Sequence, residues 1–305
     1  METITYSDVT RRHDFVLLFD VSDGNPNGDP DAGNMPRTDQ ETGAGLVSDV
    51  AIKRKVRDWV DVARGDEGRF KIYIQSGGPA LNAIHKRAYT ARNLKSTGAK
   101  QKREDVDQAR AWMCENFYDI RMFGAVMTTG VNCGQVRGPM QLTFARSYDR
   151  VDVLDLSITR VAVTREEDAE IVVSDDGSGN MTGKTTEIGK KSIIPYGLYC
   201  AYGFFNPHLA AQTGALAEDL DLFWQALQGM WDLDHSASRG RMGCRGLYVF
   251  SHADKLGNAP AHALFDRVTA ALKPGETVPR RFGQYTVAVN EAEMPAGVTL
   301  TRLVG

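Results

Sequence analysis

The stretch His13-Asp-Phe-Val-Leu-Leu-Phe-Asp-Val21 is a short run dominated by Val, Leu and Phe. A run of this length and composition is typical of a buried β-strand. It is followed by Ser22 to Gly45, a long segment rich in Gly, Asn, Pro and Asp, the residue types that form tight turns. Ser48 and Asp49 then supply a polar first turn for a helix. The sequence thus predicts a central strand, a turn-rich loop and a helix in succession.

The helix predicted after Ser48 has an apolar side and a basic side. Its apolar residues recur at the spacing of helical turns and predict the face that packs on the core: Ile52, Val56, Trp59, Val60 and Ala63. Lys53 and Arg57 lie one turn apart beside this face, with Arg54 adjacent to them. These three side chains are therefore candidates for a charged ligand.

The rest of the chain alternates between strand-like and helix-like segments. Residues 77–118 are predicted to be helical and basic. Residues 164–191 turn polar between two strand-like runs, which predicts a long protruding hairpin. The other predicted strands are 135–144, 151–163, 193–206 and 246–252, and the other predicted helices are 219–232 and 262–272.

This order of elements is compatible with an α+β fold built on a ferredoxin-like sheet. A chain of 305 residues is long enough to bury one such core and to carry long insertions. We expect a single domain over residues 1–305, with a helical insertion at 64–120 and a hairpin at 163–191.

The composition argues against several classes of protein. The chain is 42% hydrophobic and 25% charged, as in ordinary globular proteins, and no stretch approaches the ~20 apolar residues of a membrane span. No two of the four cysteines form a Cys-x-x-Cys pair, which argues against a zinc ribbon or a disulfide framework. The polar residues 1–14 show no signal region, so we expect a cytoplasmic protein without a membrane partner.

Positive charge is concentrated in one segment. Residues 51–110 carry 15 Lys and Arg against 7 Asp and Glu, a net charge of +8, whereas the remainder carries −11. Such a cluster is either a solvated helical face or a surface for a polyanion such as nucleic acid. A second candidate is Arg239-Gly-Arg241. It is either an exposed basic loop or a site where the small residue between two arginines lets a phosphate backbone approach closely.

Aspartates near the first strand leave a metal site open as an alternative. Asp20, Asp23, Asp29 and Asp31 have the oxygen ligands that Mg²⁺ uses in phosphodiester cleavage, although their spacing does not require a metal. The loop also imitates a calcium loop, but its twelfth position is Asn34 instead of a bidentate Glu. A rigid turn-rich loop is the better physical interpretation, and we expect no metal and no cofactor.

Seven short stretches, in this order, resemble the Cas7 family backbone subunit of the type I-C (Csd) CRISPR Cascade complex. They run through most of the chain: Asn25-Pro-Asn-Gly-Asp-Pro-Asp31, Asn34-Met-Pro-Arg37, Ser48-Asp-Val-Ala-Ile-Lys-Arg-Lys-Val-Arg57, Arg121-Met-Phe-Gly-Ala125, Gly134-Gln-Val-Arg-Gly-Pro-Met-Gln141, Ser236-Ala-Ser-Arg-Gly240 and Gly257-Asn-Ala-Pro260. Each stretch is short, and their joint order is specific.

The resemblance implies a palm of RNA-recognition type, a helical finger over residues 64–120 and a hairpin thumb over 163–191. It also implies a surface that binds CRISPR RNA, in which the thumb splays a base at regular intervals. The residues assigned to RNA binding are Asn25, Asn27, Arg37, Ser48, Lys53, Arg54, Arg57, Arg137, Gln141, Met181, Ser238, Arg239 and Arg241.

The resemblance further implies a protein without catalytic residues. Its partners would be the CRISPR RNA, target DNA paired with that guide, further copies of the chain in a filament, and other Cascade subunits. Two alternatives remain open from the residues alone. One is a metal-dependent endoribonuclease that cuts target RNA with Asp20, Asp23 or Asp29, and the other is a self-assembling scaffold that carries no nucleic acid.

Overall fold

The computed structural model describes residues 5–96, 98, 100–160, 171–173, 179–181 and 187–305. Its strands are β1 His13–Gly24, β2 Gly28–Asp29, β3 Met35–Pro36, β4 Ala44–Val47, β5 Gly124–Met127, β6 Gly134–Arg137, β7 Met140–Leu142, β8 Ala145–Arg150, β9 Leu154–Arg160, β10 Ile171–Val173, β11 Gly179–Met181, β12 Glu187–Phe205, β13 Arg241–His252, β14 Val268–Leu272, β15 Tyr285–Val289 and β16 Val298–Val304. Its helices are α1 Asp49–Arg64, α2 Leu81–Ala91, α3 Arg103–Asn116, α4 Tyr118–Phe123, α5 Pro207–Thr213, α6 Ala217–Gly229 and α7 Ala261–Phe265.

A large antiparallel sheet is the centre of a mixed α/β fold. Within the described ranges it has eight strands, in the order β16-β13-β1-β12-β8-β4, and β7 and β9 also pair with β12. The first predicted strand is β1, and it occupies the middle of the sheet. It pairs with β12 from His13–Phe205 to Gly24–Ile194, and with β13 along its other edge.

Both faces of β1 are buried, which explains its nearly continuous apolar sequence. Phe15, Leu17 and Phe19 point to the face that α1 and α6 cover, where Phe19 stacks on Trp231 at a centroid distance of 4.6 Å. Val16 and Leu18 point to the opposite face, where they pack with residues of α7, β14 and β15. The sheet therefore lies between two layers.

One predicted element is wrong in its second half. The helix expected over residues 262–272 ends at Phe265, and Val268–Leu272 is a strand paired with β15. Val268 and Leu272 pack toward the central sheet while Thr269 and Ala271 are exposed, an alternation that suits a strand. The apolar run is short enough to fit either period, so the sequence pattern could not separate the two.

The predicted helical insertion has a hydrophobic core of its own. Residues of α2, α3 and α4 pack together around Tyr73, Tyr89 and Met113. This core continues through β5 and β6 to Val136, beyond residue 120 where the sequence placed the end of the insertion. The division of the chain into palm and finger stays a prediction.

Buried charges connect this insertion to the central helices. Arg121 on α4 is wholly buried and donates from Nε to Asp219 of α6 at 2.9 Å. Arg69 donates to the same carboxylate at 2.9 Å. Asp119, two residues before Arg121, accepts from Arg57 of α1 at 2.8 Å. One short helix thus bonds to both helices of the layer below the sheet.

A ribbon extends from the sheet near the predicted hairpin. Leu154–Arg160 pairs antiparallel with the start of β12, and β10 pairs with β11. All seven residues of β9 are exposed. The predicted hairpin spans 163–191, and residues 161–170, 174–178 and 182–186 lie outside the described ones. The side chain of Met181, a predicted RNA-binding residue, also lies outside them.

His13 makes the stability of the fold depend on pH. Burial lowers the pKa of this imidazole from 6.5 to about 4, and its ring bonds to Ser251 Oγ and to the Asp8 carbonyl. The unfolded chain takes up the proton below pH 6.5, but the folded chain does so only near pH 4. The contribution of His13 to the free energy of unfolding is therefore fully present above pH 6.5, and we expect about 2.5 kcal/mol of it to be lost at pH 4.5. Urea denaturation at pH 7 and at pH 4.5 measures the two free energies of unfolding. In His13→Gln the difference between the two pH values should shrink by that amount, and an unchanged difference would contradict the assignment.

The buried pair of Arg121 and Asp219 supports a second prediction on stability. Arg121→Met leaves the buried Asp219 without its main partner, so we expect a loss of about 3–5 kcal/mol in urea denaturation. The matched control is Arg64→Met, which breaks the exposed pair with Glu218, the neighbour of Asp219 on α6. This change should cost under ~1 kcal/mol. Equal losses in the two variants would show that burial does not set the cost.

Candidate nucleic-acid interface

The loop after β1 is held to a distant loop by its backbone. The Asn25 N–H donates to the Ser238 carbonyl at 2.7 Å. The Asn25 side chain is buried, and its amide donates to the Asn34 carbonyl at 2.7 Å. The segment around Ser238 approaches so closely that a Cβ on Gly24 would lie 1.9 Å from the Arg239 carbonyl oxygen. Glycine is therefore required at position 24, and the two predicted loops form one surface.

The beginning of α1 is part of the same surface. Ser48 is the N-cap of the helix, as predicted, and its hydroxyl accepts from the Ala51 N–H at 3.3 Å. Asn27 Oδ1 in turn accepts from the Ser48 N–H and from the Ser48 hydroxyl, both at 2.9 Å. The Asn27 carbonyl accepts from the Arg37 N–H at 3.2 Å. Asn27 thus fixes the loop against the helix.

Two arginines border this loop. Arg37 forms an ion pair with Asp29 at 3.3 Å. Arg239 pairs with Asp234 at 3.2 Å and donates to the carbonyls of Asn25 and Pro26 at 3.3 and 3.4 Å. Both guanidinium groups are partly exposed, so each can support the loop and still meet a phosphate.

The three basic residues of α1 have different environments. Lys53 lies over the Phe123 ring and donates to Asp49 at 3.0 Å and to Gln141 Oε1 at 3.3 Å. Arg54 is the most exposed of the three and pairs with Asp58 one turn away. Arg57 is mostly buried by its pair with Asp119. Lys53 and Arg57 are therefore equally shielded, at 12% exposure, whereas Arg54 is 42% exposed. Arg57 differs from Lys53 in that its carboxylate partner is almost wholly buried.

The remaining predicted residues lie farther around the surface. Arg137 and Gln141 line an open cavity of about 370 Å³ beside Phe123. Ser238 and Arg241 are both exposed, and Arg241 pairs with Ser22 at the end of β1. Hydrogen bonds thus join Asn25 to Ser238 and Arg239, and Asn27 to Arg37 and Ser48. The chain from Asn25 to Asn27 connects these two sets into one group, and Lys53 and Gln141 form a second group.

Two of the four aspartates of the alternative metal site, Asp20 and Asp29, have protein partners. Asp20 is buried, where it pairs with Arg245 at 2.9 Å and accepts from the Tyr196 hydroxyl at 3.1 Å. Burial, and then the charge of Asp20, raise the pKa of Tyr196. Asp29 accepts from the Asp31 N–H and pairs with Arg37. Among the described residues no three His, Cys, Asp or Glu side chains are grouped to hold a metal ion.

Two residues near the site were not predicted from the sequence. Lys55 is buried, lies 6.0 Å from the Trp231 ring centroid and contacts Asp234, the partner of Arg239. The signal was present, because Lys55 is three residues after Ile52 and so falls on the apolar stripe. Asp234 had no sequence signal, since its role depends on a contact between α1 and a loop nearly 180 residues away.

Comparisons with known proteins agree with the geometry. None of the described helices has the length and apolar run needed to span a bilayer. The chain is 26% identical to a "CRISPR-associated protein Cas7" of Haloferax volcanii over 243 residues, which are 76% of this chain and 67% of that protein. Its fold is similar to a chain of a "CRISPR RNA-guided surveillance complex, pre-nicking", with a TM-score of 0.50 and 14% identity over 88% of this chain and 84% of that one. The model of the family described as "CRISPR-associated protein Cas7" matches residues 11–290, nearly the whole sequence, so this chain belongs to the Cas7 family.

Proposed function

We propose that this protein is the CRISPR RNA-binding backbone subunit of a type I-C Cascade complex, and that its copies polymerise along the guide RNA. The observation that carries the proposal is the joining of distant predicted segments into one polar surface. Asn25, Asn27, Ser48 and Arg239 come from three separate parts of the sequence and are connected by hydrogen bonds. Membership of the Cas7 family supports the same conclusion.

The topology supports a palm of RNA-recognition type. Strands β13, β1, β12 and β8 are adjacent in that order, and α1 and α6 pack on one face. A βαββαβ unit of ferredoxin type has this order. The insertion of α2 to α4 then corresponds to the finger, and the ribbon of β9 and β12 to the base of the thumb.

The chemistry of the surface suits a guide of any sequence. A backbone subunit must hold phosphates and 2′-hydroxyls and leave the base edges free for pairing with target DNA. Lys53, Arg37 and Arg239 supply charge for phosphates, and Asn and Ser side chains supply donors for hydroxyls. Because pairing between guide and target reads the sequence, the protein needs no base-specific contact. We propose accordingly that the subunit has no catalytic residue.

The proposal is tested first by the RNA content of the protein. Purified protein expressed together with a CRISPR array should carry RNA, which raises the absorbance at 260 nm, and sequencing should return the spacers of that array. Protein free of nucleic acid would favour the scaffold alternative. Random cellular RNA without enrichment of the array would contradict a guide-binding role.

The second test removes Lys53 and Arg54, the two basic residues of α1 whose acidic partners are not wholly buried. In Lys53→Ala/Arg54→Ala we expect weaker binding of single-stranded RNA and a salt dependence whose slope falls by about 1.4, because each lost phosphate contact contributes ~0.7. Arg57 stays in place, since its removal would leave Asp119 buried without its cation. Fluorescence anisotropy of labelled RNA, at salt concentrations from about 50 to about 300 mM, measures the affinity and its salt dependence.

The control is Lys102→Ala/Arg103→Ala at the start of α3, which removes the same number of charges from the insertion at positions that are more exposed than Lys53. This control should retain the affinity and the slope of the wild type. An equal effect in both double variants would mean that net charge, not the surface around Lys53, determines binding.

The third test addresses the nuclease alternative. We expect no cleavage of a complementary RNA by the RNA-loaded protein in Mg²⁺ or Mn²⁺, because Arg245 and Tyr196 engage the Asp20 carboxylate. Denaturing gel electrophoresis of end-labelled target checks this. Regularly spaced products that disappear in Asp20→Asn or Asp23→Asn would establish the nuclease instead.

A further inference from the structure

A β-bulge interrupts the pairing of β12 with its neighbours. Leu142 of β7 pairs with Gly203 of β12, and Arg146 of β8 pairs with Cys200 of β12. Three residues, 143–145, therefore face only Ala201 and Tyr202, so one residue is extra. The Thr143 hydroxyl closes the irregularity, since it accepts from the Tyr202 N–H at 3.0 Å. Bulges of this kind turn a side chain away from its regular direction.

The side chain that the bulge turns outward is Phe144. Leu142 and Ala145 on either side of the bulge are both buried in the main core. Phe144 is 53% exposed, and its ring contacts no other aromatic ring within the described part of the chain. The regular alternation of a strand would place at most one residue between two core positions, so the bulge is what leaves this ring in solvent.

The strand register relates Phe144 to both groups of the candidate interface. Ala145 pairs with Val47, which brings Phe144 opposite Ser48 and so beside Asn27. Gln141, three residues earlier in the chain, bonds to Lys53. The register thus puts an exposed phenyl ring next to the position of Ser48, in a chain segment whose Gln141 bonds to a cation. Single-stranded nucleic acid is held by this combination of aromatic faces and cations.

We infer that Phe144 stacks on a base of the bound guide RNA, an assignment that rests on the proposed function. A phenyl ring neither donates nor accepts hydrogen bonds, so it stacks on every base without reading its identity. That property is what a subunit needs if it binds guides of any sequence.

Phe144→Ala and Phe144→Trp test the inference. The alanine variant should bind single-stranded RNA between about 5-fold and about 100-fold more weakly at every salt concentration. Its salt slope should equal that of the wild type, because no phosphate contact is lost. The tryptophan variant should restore the affinity. RNA carrying 2-aminopurine at successive positions should lose fluorescence quenching at particular positions in the alanine variant.

Leu256→Ala is the matched control, because Leu256 is also exposed but lies in the turn whose carbonyl contacts Arg12, before β1. It should bind like the wild type, and thermal unfolding should show all three variants folded. If the wild type binds RNA and Phe144→Ala binds equally well, the inference fails and the proposed function stands. Unchanged RNA affinity with a loss of self-association would assign Phe144 to a contact between copies and also overturn it. A wild type that binds no RNA overturns both.

Discussion

Asp219 is wholly buried at the first turn of α6, and the position of the insertion depends on the two arginines that neutralise it. Arg121 and Arg69 both reach its carboxylate, and the Leu216 N–H donates to it as well. A charge that is taken out of water needs partners in good geometry, so α4 has few alternative positions. α4 ends at Phe123, whose ring lies under Lys53 of α1. The buried ion pair therefore determines where a cation of the candidate interface lies.

The interface is held mainly by its own polar groups. Asn27 accepts hydrogen bonds from Ser48, and Arg57 forms an ion pair with Asp119. Arg239 forms an ion pair with Asp234 and donates to two carbonyls. Such mutual bonding fixes the surface before a ligand arrives, which lowers the entropic cost of binding. It also leaves few cations fully free, so one subunit alone gains limited electrostatic affinity. In the filament proposed above, many weak sites on one RNA would act together at high effective concentration.

The sequence was sufficient for elements whose pattern is local. β1 and the N-cap at Ser48 follow from a continuous apolar run and from one capping residue. The environment of a charged side chain was not predictable, because it depends on residues distant in the chain. Arg57 has the spacing of an exposed cation, yet Asp119 buries it from 62 positions away. The seven stretches of the resemblance contain both buried and partly exposed cations, and only the packing distinguishes the wholly buried Arg121 from Lys53.

The second face of the sheet explains why the interface lies at an edge. In RNA-recognition motifs, aromatic residues on the open sheet face stack bases. Here α7 and the hairpin of β14 and β15 cover that face, and Tyr202 is stacked on Phe265 at 4.5 Å. Aromatic side chains on this face of the central strands are therefore covered by the packing of that layer. The stacking of a base proposed for Phe144 does not require these covered rings, because the bulge brings Phe144 out of the sheet. The bulge that interrupts the strand pairing thus exposes one aromatic ring on a sheet whose other rings are covered.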